Sequence, residues 1–582
     1  MPLNLITDPW LPVRRLKGGR EWIAPAQITA DFATNPILAL DFPRPDWNAA
    51  VTELLIGMLA TAAAPLDTRG WADAWAKPPS PDGLGEKLGQ IAFAFNLDGD
   101  GPRCFQDIDP LTDSDPKSIS ALLIDSPGEN AEKKNTDLFV KRSPAHGLCP
   151  AYAAAALVTM QTYAPAGGQG NRTSMRGGGP LTTLPLPRRK VLGEPAPITT
   201  LWDVVWASVP LPAPKDRPPA DPDDPDWALV FPWLARTRAS ENNRGTLLED
   251  GHTLQQFFGM PRRIRLDFSV SGEDHCSLDG PASESLARSF RQKNYGVKYD
   301  GWTHSLSPHR ADPNAGLLPF HPQPGGATYR DWLTWVETPP EKTTQRAAVL
   351  DLWGERLKAL RSSKGYGEQF DAAETWQSGI LACGFDMDNM KARAWLEARI
   401  PYFDPPPDKN ADDWAMHFRR LAALLVAGAD EAASTLRSQI KIALTGRPNR
   451  EGRYRADENL PRDAFAELIE RFWRETEVDF GAALKSLRDK PDDPERSIRE
   501  AFLKALRRKA LGLFDDIAST DDLADQDARR IVEARWALQL VFNDTGSVRG
   551  ALDLMTEEAK QKAGKRRAAG KAKAKAKEGV TS

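Results

Sequence analysis

Histidine and cysteine are scarce in this chain, with seven and four residues among 582. Cys104, Cys149, Cys276 and Cys383 stand far apart and form no Cys-x-x-Cys pair. That excludes a disulfide framework and points to a reducing compartment, so a cytoplasmic location is expected. No His-Glu-x-x-His metal helix is present. His275-Cys276 is half of a zinc ligand set, but no second pair follows at finger-like spacing, and no metal or other cofactor is expected. A Gly-x-Ser-x-Gly nucleophile elbow is also missing. The carboxylates of Asp221–Asp226 lie in a Pro-rich stretch with no scaffold to aim them at two metal ions. No apolar run approaches the ~18 residues of a membrane span, and no secretory leader is read.

Acid is absent from residues 560–577, which carry nine Lys and Arg. Without them the net charge of −4 becomes −13, so the body is acidic and its end basic. A Lys/Ala/Gly extension buries nothing and is expected to be disordered. It either holds nucleic acid loosely through phosphates or merely solubilises the chain. Any nucleic-acid site on the acidic body must be a local patch.

Glycine, by contrast, is concentrated. Six fall between Gly167 and Gly179, with Arg172 and Arg176 among them. Such a loop lets another molecule approach the main chain, and its arginines suit an anion. The alternative is a surface turn with solvated arginines. A phosphate-binding P-loop is excluded because no lysine occurs between Ala164 and Pro180. The dinucleotide pattern fails as well, since Thr173 holds the third glycine position and a helix precedes the loop.

Apolar spacing predicts a helix over 46–63 with Asp46 as N-cap, a helix over Ala151–Met160, and a strand over Leu181–Leu186. Residues 126–150 read as a long polar loop around Leu138-Phe-Val-Lys-Arg142, and 209–226 as a Pro/Asp-rich linker. Arg262–Trp335 reads as strand-containing, and Phe290–Trp302 interleaves basic and aromatic residues. That interleaving suits either a nucleic-acid surface or an ordinary strand. Four later segments have helical spacing: Trp414–Leu425, Phe465–Trp473, Ile498–Ile517 and Ile531–Val541. Asp493-Pro494 is the expected start of the third. The fold class is therefore α+β. A large mixed α/β region (1–405) precedes a four-helix bundle (410–555) and a disordered Lys-rich tail (556–582).

Taken in order, these motifs resemble the CasA family, the large subunits of type I-E CRISPR surveillance complexes (Cascade). The markers are Leu5-Ile-Thr-Asp-Pro-Trp-Leu-Pro-Val13, Leu138-Phe-Val-Lys-Arg142, Leu148-Cys149 and Gly167–Gly170. Arg176-Gly-Gly-Gly-Pro-Leu-Thr-Thr183, Phe290–Trp302, Gly384-Phe-Asp-Met-Asp-Asn-Met-Lys391 and the terminal bundle complete the set. The resemblance implies a non-catalytic subunit that reads a protospacer-adjacent motif from the minor groove of double-stranded DNA. It implies duplex opening for the guide RNA and a platform for a helicase–nuclease. CRISPR RNA and other Cascade subunits are the implied partners.

Carried over by position, the family's glycine loop falls on Ala166–Gly170 (Gly167, Gly168, Gln169, Gly170), with Arg172 beside it. Gln169 replaces a frequent glycine. The lysine finger falls on Lys293, or on Asn294 if the gap shifts. The wedge falls on Asp388, Asn389 and Met390, with Lys391 able to share its work. Phe139, Val140 and Lys141, followed by Arg142, match the segment that docks beside the guide's 5′ handle. The relatives' paired cysteines are single here, so their zinc site is expected to be lost. The competing expectation is a non-catalytic nucleic-acid scaffold acting through the basic tail.

Overall fold

The computed structural model describes residues 3–137, 144–190, 193–194, 196–213, 216–272, 274–313, 316–323, 328–332, 344–362, 378–388, 390–402, 411–457, 459–460, 465–489, 495–518, 528–562 and 564. The chain forms two units. One holds the described residues up to 323 and those from 344 to 402; the other holds 328–332 and those from 411 onward.

The first unit is built from small antiparallel sheets around two helices. β1 (Leu11–Arg15), β2 (Arg20–Ile23) and β3 (Ile37–Leu40) pair in the order β2-β1-β3. Next come α1 (Pro45–Ala62), α2 (Thr68–Ala76), α3 (Pro81–Gly89), β4 (Lys117–Ser118), α4 (Glu129–Lys133) and α5 (Pro150–Tyr163). β5 (Thr182–Leu186), α6 (Leu201–Ser208) and α7 (Trp227–Val230) follow. β6 (Arg263–Val270) and β7 (Ser285–Lys293) make a ribbon edged by β4. β8 (His309–Asp312), β9 (Gly316–Pro319) and β10 (Thr344–Gln345) form another sheet, and α8 (Ala348–Ser362) follows. A long hairpin of β11 (Gly379–Asp388) and β12 (Lys391–Pro401) completes the unit, with β5 paired to β11.

α1 and α5 are buried almost all round, through Trp47, Val51, Leu54, Leu55 and Met58 of one and Tyr152, Leu157 and Val158 of the other. Helices apolar on every face belong in a core, and these two pack on each other. The expected cap of α1 is corrected. Arg44 is the N-cap residue and Pro45 opens the helix, which puts Asp46 in the first turn. Arg44 then grips the Asp46 carboxylate with Nε and Nη2, each at 3.0 Å. A second cluster stacks Trp71 on Trp75 at 5.3 Å, with Trp353 edge-on to Trp71. Buried Arg356 lies 4.6 Å over Trp71 and donates to Ala207 O and Val209 O at the end of α6.

The second unit contains α9 (Ala411–Thr445), a small β13–β14 hairpin (Arg447–Pro448, Tyr454–Arg455), α10 (Ala466–Asp489), α11 (Glu495–Ala518), α12 (Ala528–Leu540) and short α13 (Ser547–Ala551). Four long helices pack around Phe418, Leu425, Leu436, Phe472, Phe480, Leu506 and Leu538. The opposite face of α12 leaves Val532 and Trp536 exposed. Thr328–Trp332 belongs to this unit although the sequence suggested the α/β region. Tyr329 stacks on Phe480 at 4.3 Å and hydrogen-bonds Thr476 at 2.8 Å, and Trp332 is fully buried. Asp493-Pro494 lies outside the described residues. The tail expected from 556 begins as helix over 557–562, because Thr556 Oγ1 accepts from Ala559 N and Lys560 pairs with Glu557. Most of its later cations lie outside the described residues. Among the described residues, no helix is long and apolar enough to cross a membrane.

Candidate nucleic-acid interface

The glycine loop leaves α5 and turns at an exposed tip, Gly167–Gln169. Gly168 and Gly170 have φ of +81° and +77°, the left-handed region that side chains avoid. At Gly170 space is restricted as well, since a Cβ there would lie 2.7 Å from the Asn294 Cβ. Asn171 closes the turn by donating Nδ2 to Gly167 O at 2.6 Å. Beneath it, Arg262 donates to Pro165 O and to Asn171 Oδ1, and Gln292 also donates to Asn171 Oδ1. Burial lowers the Arg262 pKa to about 10. This guanidinium is a pedestal under the loop.

Tyr295 is the hub of the loop's outer side. Its backbone N donates to Gly170 O at 2.7 Å, and its hydroxyl accepts from Gln169 Nε2 at 3.2 Å. Its own φ is +63°, a strained setting for an aromatic residue, costing on the order of 1–3 kcal/mol. Arg172 lies 5.8 Å from the same ring and donates to Ser240 Oγ and Ser240 O at 2.7 and 2.8 Å. The two arginines of the loop therefore differ. Arg172 is half-buried beside Tyr295. Arg176 is buried, donating to Glu53 Oε2 at 2.7 Å, Thr182 Oγ1 at 3.0 Å and Ser307 Oγ at 3.1 Å. Glu53 Oε1 also accepts from Tyr163 and Thr182. Arg176 anchors the loop to α1, α5 and β5 and is closed to a visiting anion. Burial, reinforced by Arg176, keeps His304 well below the usual histidine range and pushes His309 down to about 4.

Lys293 is the last residue of β7, and Asn294 follows it, exposed, against Gly170. Lys293 Nζ pairs with Asp113 Oδ2 at 2.7 Å and lies 3.7 Å from Asp109 Oδ2. Asp113 in turn raises the Lys293 pKa. The second glycine cluster links the loop to the hairpin. Gly178 packs on Pro165 and Ala166, and Gly179 packs on Phe385 and Met387. At the hairpin tip Asp388 pairs in register with Lys391, both are exposed, and Met390 is half exposed. Below it, Arg393 holds Asp386, and Trp395 packs edge-on to Phe385 and Tyr163. The hairpin base is thus stiff.

Glycine loop, β7 end and hairpin base are brought together. Asn389 and the docking segment Phe139, Val140, Lys141 and Arg142 lie outside the described residues. Cys149 and Cys276 are buried neighbours, with Cys149 N donating to Cys276 Sγ at 3.0 Å. Among the described residues no three His, Cys, Asp or Glu side chains gather as a metal site. Sequence reasoning gave no role to Tyr295, Arg262, Ser240, Glu53 or the Asp109–Asp113 loop. Two signals were visible among them: the run Arg262-Arg263-Ile-Arg265, and the interleaved stretch Phe290–Trp302 that holds Tyr295.

No curated protein matches the chain in sequence. The fold is similar to Cse1 from Thermobifida fusca at TM-score 0.64 and 18% identity, covering 95% of this chain and 99% of that one. It is similar to CasA (Cse1) from Thermus thermophilus at TM-score 0.59 and 17% identity, covering 92% and 99%. It is also similar to a chain of a CRISPR RNA-guided surveillance complex at TM-score 0.64 and 14% identity, covering 93% and 99%. Residues 4–513 match the family described as CRISPR-associated protein Cse1. The resemblance read from the scattered motifs is borne out over most of the chain, which belongs to the Cse1 family.

Proposed function

We propose that this chain is the large, non-catalytic subunit of a CRISPR RNA-guided surveillance complex. In this reading it recognises a short motif in double-stranded DNA beside the target and starts strand separation. The observation that carries the reading is the meeting of an exposed main-chain loop, the cationic end of β7 and the base of a stiff hairpin. A minor groove only about 6 Å wide admits bare backbone more easily than a helix. Gln169, with Lys293 or Asn294, supplies donors to the acceptors on its floor. The minor groove offers a degenerate pattern, so a permissive motif code follows. The hairpin tip at Asp388–Lys391, with Met390 as its apolar element, wedges a base step apart at a cost of about a few kcal/mol. Guide RNA pairing then reads the sequence in a nearly balanced exchange of duplexes.

Partners in this reading are CRISPR RNA, the other subunits and a helicase–nuclease recruited after recognition. Support comes from membership in the Cse1 family and from likeness to a chain of a surveillance complex. The test uses the reconstituted complex and matched duplexes whose flanking sequence is either fixed or randomised. Lys293→Ala, and separately replacement of residues 389–391 by glycines, should weaken flank-dependent opening at least about tenfold. Melting of the complex should be unchanged. Equal opening whatever the flank would sink the reading.

A further inference from the structure

The β6–β7 ribbon carries a ladder of like charges. Its register sets Arg263 opposite Lys293 and Arg265 opposite Arg291. Residues two apart on a strand share a face, so four cations line one side of the ribbon. Like charges directly opposite each other destabilise a sheet unless an anion lies between or over them. Here oxygens from one loop, residues 107–114, cover all four. Asp107 Oδ2 accepts from Arg263 at 2.6 Å, and Asp107 O accepts from Arg265 at 2.9 Å. Ser114 O accepts from Arg291 at 2.6 Å, and Asp113 and Asp109 face Lys293.

The covering groups are of two kinds. Asp107 is fully buried and fixed, whereas the side chains of Asp109 and Asp113 are 44% and 68% exposed. Exposed ion pairs are weak and exchange readily. Both exposed acids sit at one end of the ladder, over Lys293 and, through Asp109, its cross-strand partner Arg263. Along each strand the cations recur every two residues, roughly 7 Å, which suits successive phosphates of one DNA strand. The ribbon also ends at Asn294 against Gly170, so it continues into the site described above.

We propose that the ribbon is a track for the DNA backbone and that Asp109 and Asp113 act as an internal phosphate mimic, holding it in the free protein and yielding it to duplex DNA. The proposal rests on the recognition reading for its position beside the glycine loop. It adds a regulatory role: the mimic suppresses binding to DNA without the right flank, because only a duplex also engaged by the loop competes with tethered carboxylates.

The experiment titrates the full-length chain, and the reconstituted complex, with labelled duplexes carrying fixed or randomised flanks between 50 and 200 mM salt. Asp109→Asn with Asp113→Asn should tighten binding to randomised duplex about fivefold to tenfold at the lowest salt. The log–log salt slope should steepen by about one. Asp113→Asn alone, on a surface side chain, should give part of the gain, and Arg291→Ala in the double variant should reverse it. Unchanged affinity and slope in both Asn variants overturn the mimic, even where Lys293→Ala still abolishes flank dependence. Gain in the Asn variants with no effect of Lys293→Ala on flank dependence keeps the mimic and overturns the recognition reading.

Discussion

The α/β unit and the exposed helix faces of the second unit use arginine in opposite ways. In the first, Arg176, Arg262 and Arg356 are buried and donate to fixed partners, several of them main-chain oxygens that hold loops in place. In the second, Arg471, Arg474 and Arg529 pair with Glu475, Glu470 and Glu533 one helical turn away, on the surface. The first use positions irregular backbone that regular hydrogen bonding cannot reach. The second decorates helices whose stability comes from packing. Where the second unit turns irregular after α13 it too uses a buried arginine, Arg499, which donates to Leu552 O and Asp553 O. Charge is thus architectural where it meets irregular backbone and ornamental along exposed helix faces.

That contrast is most severely tested by Arg176→Met. Removing the guanidinium leaves the Glu53 carboxylate buried without its partner, and a loss of about 3–5 kcal/mol is expected in denaturant melts. A loss under about 1 kcal/mol would remove the distinction. A smaller effect comes from pH. The folded pKa of His309, about 4, lies below its unfolded value near 6.5, so the unfolded chain takes up the proton first. The resulting stability is full above about pH 6.5 and is lost as pH falls toward about 4. His309→Asn should flatten the fall of the melting midpoint over that window; an unaltered slope would remove His309 from the account. Least of all is expected from Glu475→Gln, which breaks two surface pairs, with Arg471 and Lys509. Its melting midpoint should match the parent's, and a clear drop would show that surface pairing in the helical unit matters more than its exposure implies.

How much could be read beforehand divides along the same line. α1, α5 and the helices of the second unit announce themselves through local spacing, because a helix's buried face is written into one window of sequence. The glycine loop was legible for a similar reason, being six glycines in one short stretch. What escaped were contacts over long separations. Arg172 and Arg176 look equivalent in the chain, yet one meets Ser240 and the other Glu53, 68 and 123 residues away. Tyr295 gave no sign that it would adopt a left-handed backbone to receive Gly170. The acids over Lys293 lie some distance up the chain, so the lysine looked free. The cap of α1 was misread by a narrower margin, because Pro45 takes the first helical position and moves the start ahead of Asp46.

The segment Thr328–Trp332 carries a consequence for how this molecule is made. A ribosome delivers Tyr329 and Trp332 well before Trp473 and Phe480, the rings against which they will settle. Two large aromatic residues must wait uncovered until the Ala466–Asp489 helix has been made, a natural point for a chaperone to hold the chain. A fragment that starts at residue 405 would be born without the plug for its own centre.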